Sequence, residues 1–154
     1  MTSAPPLVHT DGSTDDLLSE IHVLANLIGR TFAGQLEGSF GISVPEWRVL
    51  LTLARHPGLT AAEITNRWAM DKMAISRAIQ RLQGDGHISR DRNPSDRRSY
   101  QLRLTASGEV MHQKILPGAN KRYWEFVSCL TGDELANLHG LLEKLIDHAE
   151  NLRE

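Results

Sequence analysis

The sequence predicts a mainly α-helical protein with one small β-hairpin, and three patterns support that fold class. First, three capping boxes precede apolar periods, with Ser43, Thr60 and Thr131 each followed by Glu three residues later. In such a box the hydroxyl and the carboxylate satisfy backbone donors that a helix start leaves unpaired. Second, both ends of the chain carry apolar residues at helical spacings of three and four. Third, apolar and polar residues alternate over residues 100–104, as in a strand with one buried face.

The N-terminal helix is predicted over residues 14–42, after a disordered arm over residues 1–13. One face of this helix is apolar, with spacings of 4, 3 and 4, and consists of Leu17, Ile21, Leu24 and Ile28. Gly34, Gly38 and Gly41 are expected to mark the end of the helix and a turn. We expect the apolar face to take part in dimerisation.

Residues 43–104 are predicted to form the central domain. Pro57 and Gly58 separate the two helices that begin at the first two capping boxes. A third helix is predicted from Asp71 to Gln83, and its buried stripe is Ile75, Ile79 and Leu82. Because about two residues join the second and third helices, the two must cross steeply, as in a helix-turn-helix.

A β-hairpin is predicted after the third helix. Residues 88–92 are long enough to pair with a second strand that contains Tyr100, Leu102 and Leu104. Residues 93–96, Asn-Pro-Ser-Asp, are typical of the turn between two such strands. The tip and outer face of the hairpin carry four arginines, which are Arg90, Arg92, Arg97 and Arg98. A hairpin in this position makes the central domain a winged helix-turn-helix.

Residues 105–154 are predicted to form C-terminal helices that complete the dimerisation region. Thr105 caps the first of them, and Pro117-Gly118 is expected to kink or break it, because proline lacks a backbone donor. The last helix carries a heptad seam, which consists of Leu135, Leu138, Leu142, Leu145, Ala149 and Leu152. We expect a second copy of the chain to cover this seam; packing of the seam on its own chain is the alternative.

The net charge of −2 conceals an uneven distribution. Residues 1–43 hold five acids and one base, and residues 131–154 hold six acids and two bases, so each end has a charge of −4. Residues 71–104 hold eight bases and four acids, a charge of +4. A basic middle between acidic ends is typical of a nucleic-acid-binding protein, although a solvated basic face would have the same composition.

The third helix of the central domain carries the predicted DNA-reading face. This face lies opposite the buried stripe, holds no acid, and consists of Lys72, Met73, Ser76, Arg77 and Gln80. Its cations, hydroxyl and amide suit the base edges of a DNA major groove. Arg81 lies at the edge of the face, where we expect it to contact phosphate. The outer face of an ordinary surface helix is the alternative, and the arginine-rich hairpin beside it favours DNA.

The stretch over residues 93–108 resembles the wing signature of the MarR family of bacterial transcriptional regulators. That signature is D-x-R followed by L-x-L-T-x-x-G, and here it begins at Asp96 and ends at Gly108. Residues 45–50, 77–82 and 86–90 resemble the same family, so the likeness extends over about residues 14–152. It implies a homodimeric, ligand-responsive repressor.

The resemblance also implies how such a dimer would bind DNA. Two recognition helices would enter successive major grooves of a pseudo-palindromic operator. Arg97 or Arg98 would reach the minor groove, and an ion pair to Asp96 would hold the wing arginine in place. A small ligand, such as an aromatic carboxylate or its thioester, would release the protein from double-stranded DNA.

The ligand pocket implied by the resemblance lies between the dimer helices and the DNA-binding domain. Its candidate residues in this chain are His22, Asn26, Trp47, Arg48 and His112. Arg48 suits bidentate pairing with a carboxylate, and Trp47 suits stacking on a ring. The alternatives are a plain core role for Trp47 and a surface or core role for His22.

Enzyme signatures are absent, since the sequence lacks G-x-S-x-G, a P-loop and H-E-x-x-H. We therefore expect no catalysis and no cofactor. We expect no metal site either, because the spacing of His139, Glu143 and His148 does not place all three on one helix face. The single cysteine, Cys129, excludes an internal disulfide and suits the cytoplasm. The alternative functions are a helical protein–protein adaptor and a small helical enzyme.

Overall fold

The computed structural model of the chain describes residues 13–152. Its elements in chain order are α1 (Ser13–Phe40), α2 (Val44–Arg55), α3 (Ala61–Trp68), α4 (Lys72–Gly84), β1 (Ile88–Asn93), β2 (Asp96–Leu104), α5 (Ala106–Val127) and α6 (Gly132–Asn151). This order confirms the predicted fold class of a mainly helical protein with one hairpin. The predicted arm over residues 1–13 lies outside the described residues, apart from Ser13, where α1 begins.

Local polar contacts set the starts of the helices. All three predicted capping boxes are present, and they join Ser43 with Glu46, Thr60 with Glu63, and Thr131 with Glu134. The backbone N–H and the hydroxyl of Thr60 donate to Glu63 Oε2 at 2.7 and 2.8 Å. These bonds hold the pKa of the Glu63 carboxyl below its ordinary value. At the start of α4, Asp71 Oδ2 accepts from the backbone N–H of Ala74 at 2.9 Å, as a helix cap does.

The first of two compact units comprises the residues up to 115. Its core forms where α2, α3 and α4 pack together, and its buried side chains include Val49, Leu50, Leu53, Ile64, Ile75, Ile79, Leu82 and Leu102. The predicted stripe of α4 is therefore confirmed. α2 buries Val49 and Leu53 together with Leu50, while Ala54 near its end is exposed. α2 is thus covered on more of its surface than a single apolar stripe suggests.

A three-residue joint connects α3 to α4, as the helix-turn-helix requires. Ala69 ends α3 in the left-handed region, with φ of 46°. Its backbone N–H donates to the Asn66 carbonyl at 3.1 Å, and that of Met70 donates to the Thr65 carbonyl at 3.2 Å. These bonds satisfy the last carbonyls of α3, and Asp71 then begins α4.

The hairpin is antiparallel, with Ile88 opposite Leu104 and Arg92 opposite Tyr100. On the outer edge of β2, the Gly58 N–H donates to the Leu102 carbonyl at 2.8 Å, and the Leu102 N–H donates to the Leu59 carbonyl at 2.9 Å. The turn between α2 and α3 therefore anchors the base of the hairpin. We call the hairpin, β1 and β2 with their turn, the wing.

The last residues of the wing signature have a structural role at the junction with α5. The Thr105 hydroxyl donates to the Gly86 carbonyl at 2.6 Å and accepts from the Gly108 N–H at 3.1 Å. A Cβ atom at Gly108 would overlap the His87 carbonyl oxygen. Threonine and glycine are therefore required here to join α5 to the base of the wing.

The predicted helix end at Gly34 or Gly38 and the predicted break at Pro117 were wrong. α1 runs through Gly34 and Gly38 and ends only before Gly41, whose φ is +65°. α5 continues through Pro117 without a break. A proline inside a helix costs about 3 kcal/mol, and the many regular hydrogen bonds of a helix of 22 residues can offset that cost.

The second compact unit begins at residue 116. It contains the C-terminal part of α5 and the whole of α6, and Val127 is buried within it. α6 itself has no buried residue. Over residues 13–152, no helix is both long and apolar enough to cross a membrane.

Candidate DNA-binding surface

The outer face of α4 presents the predicted DNA-reading side chains. Lys72, Met73, Arg77 and Gln80 are exposed or partly exposed, and Ser76 is partly exposed. Met73 is 58% exposed, so its side chain is free to contact another molecule. The same helix buries Ile75 and Ile79 on its opposite side. The α4 helix therefore has one face that packs in the core and one face that is exposed to a ligand.

The wing presents its four arginines to solvent, since Arg90, Arg92, Arg97 and Arg98 are all exposed. The Arg90 guanidinium carbon lies 3.9 Å from the centre of the Tyr100 ring, a cation–π contact between the two strands. This contact holds Arg90 against the wing while its charge stays at the surface. Tyr100 was predicted as a strand residue and not as part of the site.

The expected ion pair at the wing tip is replaced by a backbone contact. Asp96 Oδ1 accepts from the backbone N–H of Arg98 at 3.0 Å. No ion pair between Asp96 and a wing arginine is present over residues 13–152. The carboxylate therefore shapes the turn through the main chain and leaves the Arg97 and Arg98 guanidinium groups unpaired by it.

One concave surface extends from α4 to the wing. This surface, the DNA-facing groove, has a volume of about 280 Å³ and is lined by Thr60, Ala61, Ala62, Lys72, Ser76, Ile79, Gln80, Arg90, Arg98, Ser99, Tyr100 and Leu102. Its three cations come from α4 and from both strands of the wing. No carboxylate is among its lining residues. The groove is therefore a positive surface with hydroxyl and amide groups, which suits a polyanion.

Arg81, the predicted phosphate contact at the edge of this face, is exposed and also has partners within the chain. Its Nε atom lies 3.2 Å from Glu46 Oε1, and its guanidinium donates to the Gly41 carbonyl at 3.2 Å. Glu46 is 2% exposed and also accepts from the Ser43 backbone N–H. Arg81 thus ties α4 to the start of α2. The spacing of residues 46 and 81 gives no local signal for this pair.

Two of the predicted ligand-pocket residues lie together. The rings of Trp47 and His112 stack with centroids 5.5 Å apart and planes 17° apart. Trp47 is buried, and His112 Nε2 is buried with no hydrogen-bond partner among the described residues. Burial, and then the charge of Arg55, lower the pKa of His112 below its ordinary value. A neutral imidazole with one unsatisfied nitrogen is available to bind a polar group there.

Arg48, a predicted ligand contact, has partners within the chain. Its guanidinium donates to the Met70 sulfur at 3.0 Å and lies 4.9 Å from the centre of the Trp68 ring. Burial lowers the pKa of this guanidinium from its ordinary value. These contacts fix Arg48 against the α3–α4 joint. The sequence offered no signal for them, because the partners lie 20 and 22 residues away.

The remaining pocket candidates lie on α1. His22 and Asn26 are exposed, and His22 Nδ1 lies 2.8 Å from the Leu18 carbonyl one helical turn earlier. Within residues 13–152, no hydrogen bond or ring stacking joins either side chain to Trp47 or His112. Trp47 and His112 are therefore the two candidates whose rings the structure brings into contact with each other.

The predicted dimerisation faces are exposed in the single chain. On α1, Leu17, Ile21 and Leu24 are 53%, 39% and 44% exposed, and on α6, Leu138, Leu142, Leu145 and Leu152 are 39%, 43%, 52% and 70% exposed. Rows of exposed apolar side chains are typical of surfaces that another molecule covers.

No group of three or more potential metal ligands occurs within the described part of the chain.

Comparison with known proteins gives consistent matches. A MarR family model matches residues 40–99, which span α2, α3, α4 and most of the wing. The multiple antibiotic resistance protein MarR of Salmonella typhimurium is 32% identical over 145 residues, covering 87% of this chain and 98% of that protein. The transcriptional repressor MdtR of Bacillus subtilis is 27% identical over 141 residues, covering 90% of this chain and 91% of that protein.

Solved structures with the same fold include complexes with DNA and with a ligand. A mutant of MarR from E. coli, complexed with operator DNA, superposes with a TM-score of 0.74 at 25% identity, covering 88% of this chain and 99% of that chain. The PcaV transcriptional regulator from Streptomyces coelicolor, in complex with its natural ligand, has a TM-score of 0.71 at 25% identity, covering 93% of this chain and 99% of that chain.

Proposed function

Because the chain belongs to the MarR family of transcriptional regulators, we propose that it is a homodimeric repressor of a pseudo-palindromic operator, released from DNA by a small aromatic carboxylate or its thioester. Membership of this family makes the protein a DNA-binding regulator and not an enzyme. The adaptor and enzyme alternatives are thereby set aside. We also propose that the protein acts in the cytoplasm.

The observation that carries the DNA-binding proposal is the DNA-facing groove. Lys72, Ser76 and Gln80 of α4 share it with Arg90 and Arg98 of the wing. We assign base-edge contacts to α4, because its side chains offer donors and an amide of the kind that a major groove accepts. We assign phosphate and minor-groove contacts to Arg90, Arg92, Arg97 and Arg98. Arg81 remains a proposed phosphate contact at the edge of this surface, since its side chain is 62% exposed while its Nε pairs with Glu46.

Exposed apolar rows support the homodimer. No residue of the α6 seam centred on Leu142 and Leu145 is buried by the described part of the chain. Burying apolar surface stabilises by about 25 cal/mol per Å², so a second chain that covers several leucines supplies a large favourable term. We propose that the α1 face and the α6 face each contact a second copy of the chain. Two winged helices in one dimer then bind two half-sites about one DNA turn apart, roughly 34 Å.

The stacked pair Trp47 and His112 supports a ligand site. Stacked rings give a flat apolar surface for an aromatic ligand, and the unpartnered His112 Nε2 gives one polar group. We propose that the effector binds beside this pair. A ligand releases DNA only if it binds the DNA-free arrangement more tightly than the DNA-bound one. A tenfold change in operator affinity requires a difference of about 1.4 kcal/mol.

A gel-shift experiment tests this function. The purified protein is titrated onto DNA from upstream of its own gene and onto a scrambled fragment of equal length. We expect a preference for the upstream DNA. We also expect at least one compound from a panel of benzoates, hydroxybenzoates and cinnamates to dissociate the protein from that DNA. Equal binding to both fragments would contradict the DNA proposal. A complex that withstands the whole panel would contradict the effector class alone.

A further inference from the structure

A second groove lies between α2 and the C-terminal end of α3. This α2–α3 groove has a volume of about 220 Å³ and is lined by Leu51, Thr52, Arg55, His56, Arg67 and Trp68. It shares no residue with the DNA-facing groove, which uses Thr60, Ala61 and Ala62 near the other end of α3. Over seven residues a helix rises about 10 Å, so the two grooves use opposite ends of the same helix.

The charges around the α2–α3 groove are all of one sign. Two guanidinium groups, of Arg55 and Arg67, line it together with the His56 imidazole, and no carboxylate lines it. Neither arginine has an ion-pair or hydrogen-bond partner within residues 13–152. Two neighbouring arginines without an acid repel each other, and an anion between them removes that repulsion while accepting charge-assisted hydrogen bonds.

One wall of the groove is rigid and apolar. The Trp68 indole N–H donates to the Thr52 hydroxyl at 2.8 Å, and that hydroxyl donates to the Arg48 carbonyl at 2.7 Å. The Arg48 guanidinium also contacts this indole, at 4.9 Å from the centre of the Trp68 ring. These contacts hold the indole in one position. With Leu51 beside it, the indole provides a surface for a flat apolar group.

From these observations we propose that the α2–α3 groove binds a small organic anion, namely a single flat ring that carries a carboxylate or a phosphate group. Arg55 and Arg67 bind the anionic group, and Trp68 and Leu51 contact the ring. The volume is adequate, since an apolar cavity of about 150 Å³ accommodates benzene. This site goes beyond the proposed function, because neither Trp47 nor His112 lines it and binding there requires no release of DNA.

The site also has a place in the fold that gives binding a consequence. Arg55 ends α2, and Arg67 lies in the last turn of α3, immediately before the joint that begins the recognition helix. An anion bound to both arginines therefore ties α2 to the end of α3. We expect ligand binding to stabilise the helix-turn-helix against thermal unfolding, since a ligand that binds only the folded state raises its stability.

Nuclear magnetic resonance tests the proposal in the whole protein. The chain has three tryptophans, so its ¹⁵N spectrum contains three indole N–H signals, which Trp47→Phe, Trp68→Phe and Trp124→Phe variants assign. Benzoate, phenyl phosphate and inorganic phosphate are titrated separately. We expect benzoate or phenyl phosphate to shift the Trp68 signal in a saturable manner. Arg55→Gln and Arg67→Gln should each weaken that binding about tenfold or more, because each removes a charge-assisted contact.

Arg30→Gln is the matched control, because it removes an exposed guanidinium from α1 and should leave the titration unchanged. The remaining backbone signals report whether each variant is folded. A saturable shift of the Trp47 signal in place of the Trp68 signal would overturn the proposal by assigning the ligand to the stacked pair. Inorganic phosphate that binds as tightly as phenyl phosphate would overturn the role of the ring, and no saturable shift with any probe would overturn the site. None of these results depends on operator binding.

Discussion

Arg81 Nε lies 3.2 Å from Oε1 of Glu46, a carboxylate that is 2% exposed at the first turn of α2. This pair attaches α4 to α2. The arginine is 62% exposed, so the pair is partly hydrated on one side. Loss of the arginine would leave a buried carboxylate with the Ser43 backbone N–H as its remaining described partner.

Arg81→Gln is therefore expected to lower stability by about 1–3 kcal/mol, which chemical denaturation measures. Arg77→Gln is the matched control, since Arg77 lies one turn earlier on α4, on its outer face, and has no described ion-pair partner. It should leave stability unchanged and weaken operator binding. If the two variants have equal stability, the Glu46 pair does not hold α4 in place.

The wing and the recognition helix should differ in what their loss does to DNA binding. Arg98→Ala is expected to weaken binding to all sequences and to lower its salt dependence, because fewer phosphates are neutralised. Gln80→Ala should instead relax the preference at particular base pairs, by about 1–3 kcal/mol for each lost contact. Fluorescence anisotropy with operator variants at several salt concentrations separates these effects. Unchanged affinity in Arg98→Ala would remove the wing from the interface.

Leu145→Glu tests the dimer. Leu145 lies in the middle of the α6 seam, where a charge in the interface would lose its hydration when two chains meet. We expect monomers by light scattering and a loss of operator binding together, since one winged helix cannot reach both half-sites. Lys144→Glu, on the polar side of the same helix, should leave the dimer intact. A wild-type protein that is monomeric at micromolar concentration would contradict the arrangement.

His112 should make stability depend on pH in the acid range. Burial, followed by the charge of Arg55, lowers its folded-state pKa below the value of 6.5 that it has when unfolded. As the pH falls through 6.5, the unfolded chain binds this proton before the folded chain does, so the free energy of unfolding decreases. Once the pH is below the folded-state pKa, both states are protonated and this group causes no further decrease. His112→Phe keeps the stack with Trp47 and should reduce the loss of stability between pH 7 and pH 5. Parallel stability curves for both proteins would show that His112 titrates normally.

Much of the fold could be predicted because its signals are local. A capping box needs only residues three apart, and all three predicted boxes are present, as is the cap at Asp71. The hairpin was equally local, since its turn residues and its alternating strand adjoin in sequence. The break expected at Pro117 is absent, because the proline penalty disfavours a helix interior without excluding one, and α5 continues for several residues on each side.

The site was predicted less completely, because its contacts join distant parts of the chain. The outer face of α4 follows from helical period alone and lies at the surface as expected. The Arg81 pair with Glu46, the Arg48 contact with Met70, and the α2–α3 groove depend on how helices cross, which no spacing in the sequence reveals. Trp47 and His112 were both candidates from the family resemblance, yet their stacking appeared only in the structure.

One measurement tests the central claim of a dimeric winged-helix repressor most directly. Anisotropy is measured on the preferred operator and on the same operator with about five base pairs, half a DNA turn, inserted between its half-sites. Two recognition helices joined in one dimer cannot both follow half-sites that now face opposite sides of the duplex. We expect the insertion to reduce the affinity to that for a single half-site, and equal affinity for the two DNAs would contradict a dimeric winged-helix repressor.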